Sequence, residues 1–262
     1  MCIGILETDD SYMWQPQVKR QAAHRLRLDA EGLKCMSSQK TLTVIQNRLE
    51  TFPARFVFLG SGAFHHLSLP LIARLVEKTP LSVFIFDQHA DLFPSPEGFI
   101  TCGSWVREVI KLPGVRRVVI GGVAEGIPNL DEKVIVLTAQ SWQFFFKRRK
   151  SYFEELMDTD SLYLSIDKDV FSETNTDWGK GKLSVEEVIA FLQWCLKRWL
   201  LVGADVCGET VPRGPWPTLQ EQRSIAQNEK INLILCQVLT QQDKSKPHGH
   251  SRSQPVHLRP TA

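Results

Sequence analysis

No stretch of the 262-residue sequence approaches the run of about 20 apolar residues that a membrane-spanning helix needs. The opening MCIGILETDD has no basic segment and turns acidic at once, which argues against a secretory leader. An excess of one charge is also missing. Thirty-one Lys and Arg stand against 29 Asp and Glu, a net charge of +2, so nothing electrostatic points to nucleic acid or a membrane surface as partner. The six cysteines, Cys2, Cys35, Cys102, Cys195, Cys207 and Cys236, contain no CxxC pair and read as reduced, mostly buried thiols of a cytoplasmic protein. No internal repeat recurs along the chain.

What is present is ordinary in bulk and patterned in detail. Apolar residues make up 43% and charged residues 23%, and the length suffices for a substantial core. Six short runs rich in Val, Ile, Leu and Phe, at 54–60, 81–87, 116–123, 134–138, 161–167 and 200–206, alternate poorly between polar and apolar, as strands buried on both faces do. Between them, helical spacing is found at 66–78, 103–112, 141–157 and 183–199, with a last helix expected from about Thr218 to Thr240. The helix at 183–199 has Ser184 at its start, Glu186 and Glu187 in its first turn, and Lys197 and Arg198 near its end, matching the helix dipole.

CIGILE reads as a first strand and Gln39 to Leu49 as a helix, but residues 8–37 give little signal. This alternation predicts an α/β fold, a single three-layer α-β-α domain around a mostly parallel sheet. We expect that domain to span 1–242, with 1–53 its least legible part. The polar, aperiodic segment 243–262, which holds His248, His250 and His257, is expected to be a disordered tail.

Ligands of open parallel sheets bind beyond the carboxyl ends of the strands, and here those ends carry the chemistry. FIFDQHADLF places Asp87, His89 and Asp91 two apart after an apolar run. The strand at 54–60 leads through Gly60 and Gly62 to His65 and His66. SIDKD offers Asp167 and Asp169, and ADVCGE offers Asp205 and Glu209. Residues i and i+2 of an extended chain share a face, so two of these ends can each aim a pair of ligands at one place. One Asp after a strand usually forms a turn or cap. Several carboxylates gathered without cations would instead repel and resist ionisation. Lys168 is the nearby cation, and alternation points it the other way. A hard divalent ion such as Mn2+ is the simplest counter-charge.

In that order and on those strands, FHHLSLPLI, FDQHADL and SIDKDV resemble the three metal-binding motifs of the arginase (ureohydrolase) superfamily, which includes agmatinase and formiminoglutamase, and GADVCGE resembles its fourth. The similarity spans roughly residues 54 to 240. It implies an arginase-like fold and two Mn2+ ions, one held by His65, Asp87, Asp91 and Asp167, the other by Asp87, His89, Asp167 and Asp169. It further implies hydrolysis of a non-peptide C–N bond in a guanidino, formimino or linear amide substrate by a metal-bridging hydroxide, with Asp91 relaying a proton to the departing amine.

Several positions depart from the family pattern, among them Gln88 in place of Ala and Phe171 and Ser172 where the third motif ends in Asp-Pro. Phe64 and His66 replace the Asp and Ser beside His65, Cys102 stands where many members carry a proton-shuttling His, and Glu209 falls one residue late for the substrate-binding Glu, with Gly208 as the apparent insertion. Cys102, Asp91 and Glu209 are accordingly the candidate catalytic residues, and a bulge could carry Glu209 into the pocket. The implied partner is a small-molecule substrate, with no nucleic acid and no membrane; a homo-oligomer is compatible. Two other readings are a single-zinc deacetylase-like amidohydrolase and a metal-binding relative without turnover.

Overall fold

Runs of Val, Ile, Leu and Phe with no polar alternate can form strands only where both faces are covered, and the computed structural model, which describes residues 2–28, 32–125 and 131–241, shows that arrangement. The strands in chain order are β1 (Ile3–Glu7), β2 (His24–Arg27), β3 (Met36–Ser38), β4 (Phe56–Phe58), β5 (Leu81–Phe86), β6 (Phe99–Thr101), β7 (Val115–Val123), β8 (Val134–Thr138), β9 (Ser161–Asp167) and β10 (Leu200–Cys207). Eight of them form one sheet in the order β2-β1-β4-β10-β9-β5-β7-β8, every neighbouring pair parallel. β3 and β6 form a separate antiparallel pair.

The helices are α1 (Pro16–Gln21), α2 (Gln39–Leu49), α3 (Ser68–Val76), α4 (Trp105–Val109), α5 (Ala139–Arg148), α6 (Ser151–Leu156), α7 (Val185–Cys195) and α8 (Leu219–Leu239). Successive strand residues point to opposite faces, and the core divides accordingly. Phe56, Phe58, Phe84, Phe86, Leu162, Leu164 and Ile166 pack with Val18, Trp142, Phe153, Phe191 and Leu235 of α1 and α5 to α8. Their neighbours Val57, Val83, Ile85 and Tyr163 pack with Leu42, Ile45, Leu71, Ile72 and Trp105 of α2 to α4. The result is the three-layer α/β arrangement expected from the sequence.

Several boundaries differ for local reasons. The helix expected at 66–78 begins as a 3-10 turn over Gly62–Leu67 before α3. The one expected at 141–157 breaks at Arg149, whose φ of −147° is not helical, giving α5 and α6. α7 is capped as anticipated, the Ser184 side chain accepting from Glu187 N while the Glu187 side chain accepts from Ser184 N. It ends at Cys195, however, so Lys197 and Arg198 lie beyond it, and Arg198 stacks over the Trp194 ring at 4.3 Å.

The illegible region 8–37 contains α1 and β2. Edge strand β2, HRLR, is alternately half-buried and exposed, so it needs no apolar run. The segment 243–262 lies outside the described residues. Among the described residues no helix is long and apolar enough to cross a membrane.

Candidate metal centre

The sheet order β4-β10-β9-β5 sets four carboxyl ends side by side, and the polar residues leaving them converge. After β4, the 3-10 turn carries buried His65, whose Nδ1 lies 3.1 Å from Asp87 Oδ2, 3.3 Å from Asp91 Oδ2 and 3.7 Å from Asp167 Oδ2. After β5, His89 Nδ1 stands 2.9 Å from Asp169 Oδ2 and 3.4 Å from Asp87 Oδ1. Asp87, Asp91, Asp167 and Asp169 are buried, whereas the His89 side chain is 42% exposed and forms the open side of the cluster. The structure therefore brings together all six residues singled out as ligands.

Two donor groups, His65/Asp87/Asp91 and Asp87/His89/Asp169, each hold their ligand atoms within 4.8 Å and share Asp87. A third group, His65/Asp167/Cys207, was not anticipated. Cys207 is the parallel-strand partner of Asp167, a relation that appears only once β9 and β10 are paired.

The surroundings hold these groups in place. Trp105 Nε1 donates to Asp91 Oδ2 at 2.7 Å, and Asp91 adopts the left-handed φ of 51°, a strained backbone typical of functional sites. Tyr163 OH donates to Asp205 Oδ2 at 2.6 Å, and Ser165 Oγ donates to Asp205 Oδ1 at 2.8 Å. Ser165 thus spends its proton on Asp205, so at 2.9 Å it accepts from His65 Nε2. That assignment leaves His65 Nδ1 to face the carboxylates, the outer-layer arrangement that orients metal-ligating histidines.

The electrostatics fit divalent cations. Burial, then mutual repulsion among Asp167, Asp169 and Asp87, raises the Asp167 and Asp169 carboxyls above the ordinary range. Close pairing with Asp169 and then Asp87 pulls the His89 imidazole up to about 11. Burial opposes protonation of His65, but its acidic neighbours, Cys207 foremost, outweigh that and raise it. Asp169 Oδ2 is met by the His89 nitrogen but receives no well-aligned hydrogen bond. Too few protein cations face this charge, and the oxygen- and imidazole-rich donor set suits a hard divalent ion.

The structure places Glu209 elsewhere. Its carboxylate pairs with Lys168 Nζ and accepts from Gln15 Nε2 at 2.6 Å and Asn232 Nδ2 at 2.7 Å, with neither Glu209 nor Lys168 exposed. Up to Cys207 the strand carries no bulge that could re-aim Glu209: Asp205, Val206 and Cys207 pair in unbroken register with Ser165, Ile166 and Asp167, and the irregularity in β10 falls between Leu201 and Gly203. Lys168 does point away from the ligands, and its buried ammonium draws Glu209 after it. Gly208, at φ +81°, leaves no room for a side chain, since a Cβ there would stand 2.3 Å from Asp167 Oδ1. Cys102 sits near Asp91 and Cys35, and burial, with those neighbours, pushes its thiol up to about 12. It is neutral at pH 7 and cannot take up a proton as an imidazole does. His66 is also neutral, pushed down to about 3 by burial and His65, and meets Ser37 Oγ at 2.9 Å.

A cavity of about 890 Å³, lined in part by Asp9, Lys34, Cys35, Ser61, Phe64 and Trp178, adjoins the cluster. Gly62 forms the narrow partition, because a Cβ there would lie 2.8 Å from Trp178 and 2.9 Å from Asp167 Oδ2.

Comparison with known proteins agrees with this geometry. The family model described as "Arginase family" matches residues 28–207. The chain belongs to the arginase family. Among relatives of this arginase-family chain, an "Uncharacterized protein" of Thermotoga maritima is 30% identical over 258 residues, covering 98% of each chain. The agmatinase of Pyrococcus horikoshii is 32% identical over 160 residues, 57% of this chain and 53% of that one. Among solved structures, Trypanosoma cruzi formiminoglutamase with Mn2+ superposes with a TM-score of 0.63 at 13% identity, over 90% of this chain and 92% of that one. At that identity the likeness supports the arginase-family fold alone.

Proposed function

We propose that this arginase-family chain is a binuclear metal-dependent hydrolase that cleaves a C–N bond in a small linear amide or formimino compound. The observation that carries the reading is that two ligand groups share one carboxylate, Asp87, in a buried acidic cluster. His65, Asp87, Asp91 and Asp167 would hold one ion, and Asp87, His89, Asp167 and Asp169 the other. Mn2+ fits these donors and is the ion named with the T. cruzi formiminoglutamase. When bound, two such ions polarise the substrate and lower the pKa of water at neutral pH.

This chain's own side chains supply the rest. Asp91, oriented by the Trp105 indole, carries a proton toward the departing nitrogen. His65 is kept in one tautomer by Ser165 and Asp205. The neutral Cys102 cannot serve as a proton shuttle, and the phenyl ring of Phe64 lines the adjoining cavity.

Arginine suits the site poorly. A guanidinium needs an acceptor near the reacting carbon, but position 208 has no side chain and Glu209 is already paired with Lys168. A linear amide is neutral and needs no such carboxylate, and a formimino group presents fewer N–H groups to satisfy than a guanidinium. The test combines metal analysis with ammonia and urea release from guanidino, formimino and amide compounds. Two ions per chain with turnover of an amide or formimino substrate is the expected result. One ion would favour a single-zinc amidohydrolase, and saturable urea release from arginine would refute the substrate assignment. Complete inactivity of the fully loaded protein would leave a metal-binding protein without turnover.

A further inference from the structure

Cys207 is fully buried at the end of β10, opposite Asp167 in the parallel ladder, and its Sγ lies 3.2 Å from Asp167 Oδ2. Residues paired across parallel strands project to the same face, so the thiol reaches the side of the cluster where His65 also points. The donor atoms of His65, Asp167 and Cys207 lie within 4.8 Å of one another. A second feature is acidic charge that protein donors meet only out of line. Asp169, whose N–H bonds Asp167 Oδ1 at 3.0 Å, has a buried Oδ2 that His89 Nδ1 approaches at 2.9 Å without good alignment.

We propose that Cys207 supplies a sulfur ligand to the ion held by His65 and Asp167, making the two metal positions chemically unequal. The inference rests on the binuclear reading above. Thiolate selects softer ions such as Zn2+ and Co2+, whereas the Asp87/His89/Asp169 position, with only oxygen and imidazole donors, suits Mn2+. As the metal–sulfur bond forms, the thiol proton leaves to solvent, so no oxidant or reductant is involved. The competing role is a neutral thiol that merely donates a hydrogen bond to Asp167, and it predicts no metal–sulfur signature.

The experiment loads metal-stripped full-length protein with Co2+, counts bound ions, and records the near-ultraviolet spectrum for wild type, Cys207→Ser, Cys207→Ala and Cys102→Ala. The proposal expects a thiolate-to-cobalt charge-transfer band in wild type and Cys102→Ala that is absent from both Cys207 variants. It also expects Zn2+ binding weakened by at least ~10-fold in Cys207→Ser, with Mn2+ at the other position less affected. Two cobalt ions without the band in wild type overturns the proposal and leaves the binuclear reading intact. Loss of the band in Cys102→Ala rather than in the Cys207 variants also overturns it. A single ion with a Cys207-dependent band supports the sulfur ligand while refuting the binuclear reading. If the Cys207 variants do not fold, the wild-type and Cys102→Ala spectra decide.

Discussion

Replacing Glu209 with Gln separates a structural carboxylate from a substrate-binding one. The three groups around that carboxylate, Lys168 Nζ, Gln15 Nε2 and Asn232 Nδ2, are all donors, and both members of the ion pair are completely buried. A glutamine there turns one acceptor into an NH2 group facing donors and leaves the Lys168 ammonium without a counter-charge. Burial already lowers the Lys168 pKa, with Glu209 the chief opposing influence, so the variant must either bury a bare charge or release its proton.

Breaking a buried pair in this way costs about 3–5 kcal/mol. At ~2–4 °C per kcal/mol for a chain of this size, the melting temperature falls by roughly 6–20 °C. Thermal unfolding of metal-loaded Glu209→Gln checks this, with metal content and activity at low temperature expected to stay close to wild type. Lys168→Met combined with Glu209→Gln is expected to lose less than the two single losses added together, because the unpaired charge is gone. An unchanged melting temperature together with a rate reduced by orders of magnitude would show that Glu209 acts on the substrate, and the reasoning would fail.

Asp87→Ala is expected to abolish binding of both ions, since Asp87 belongs to both donor groups; metal analysis retaining one ion would show that it does not bridge. Trp105→Phe removes the indole N–H that Asp91 Oδ2 accepts at 2.7 Å, and should lower activity or metal affinity ~10–100-fold while preserving the fold by circular dichroism. The stability of metal-free protein should fall as pH rises. Asp167 and Asp169 are raised, so their folded forms keep protons that the unfolded chain has lost above about pH 4, and stability declines as pH climbs through the raised values. His89, raised to about 11, acts with the same sign: its contribution is complete below about pH 6.5 and is lost toward 11. Metal binding requires deprotonated ligands and strengthens with pH. The melting-temperature difference between loaded and metal-free protein should therefore widen from pH 5 to 8, and a constant gap would contradict the clustered-carboxylate picture.

How much could be read without coordinates differs from residue to residue, for identifiable reasons. β8 and β9 begin and end where the short Val-, Ile- and Leu-rich runs do, because helices pack on both sides of the sheet and favour such residues there. Edge strand β2 escaped notice because one side of it faces solvent. The i, i+2 spacing of Asp87 with His89 and of Asp167 with Asp169 is a local property of extended chain, so those pairs were legible as candidate ligands together with His65.

The partners from other strands were not. Cys207 meets Asp167, and Ser165 joins His65 to Asp205, only because β4, β9 and β10 lie side by side. The orientation of Glu209 was likewise undecided by its spacing from Asp205. A buried ammonium requires a counter-charge, and the counter-charge within reach of Lys168 became known only when β9, β10 and α8 were packed together. Strand-and-helix alternation and the ligand types at the strand ends were legible along the chain, since both follow from local periodicity. Tertiary packing decided which acidic group faces the metal cluster and which is held by a lysine, because that choice depends on the electrostatics of groups far apart in the chain.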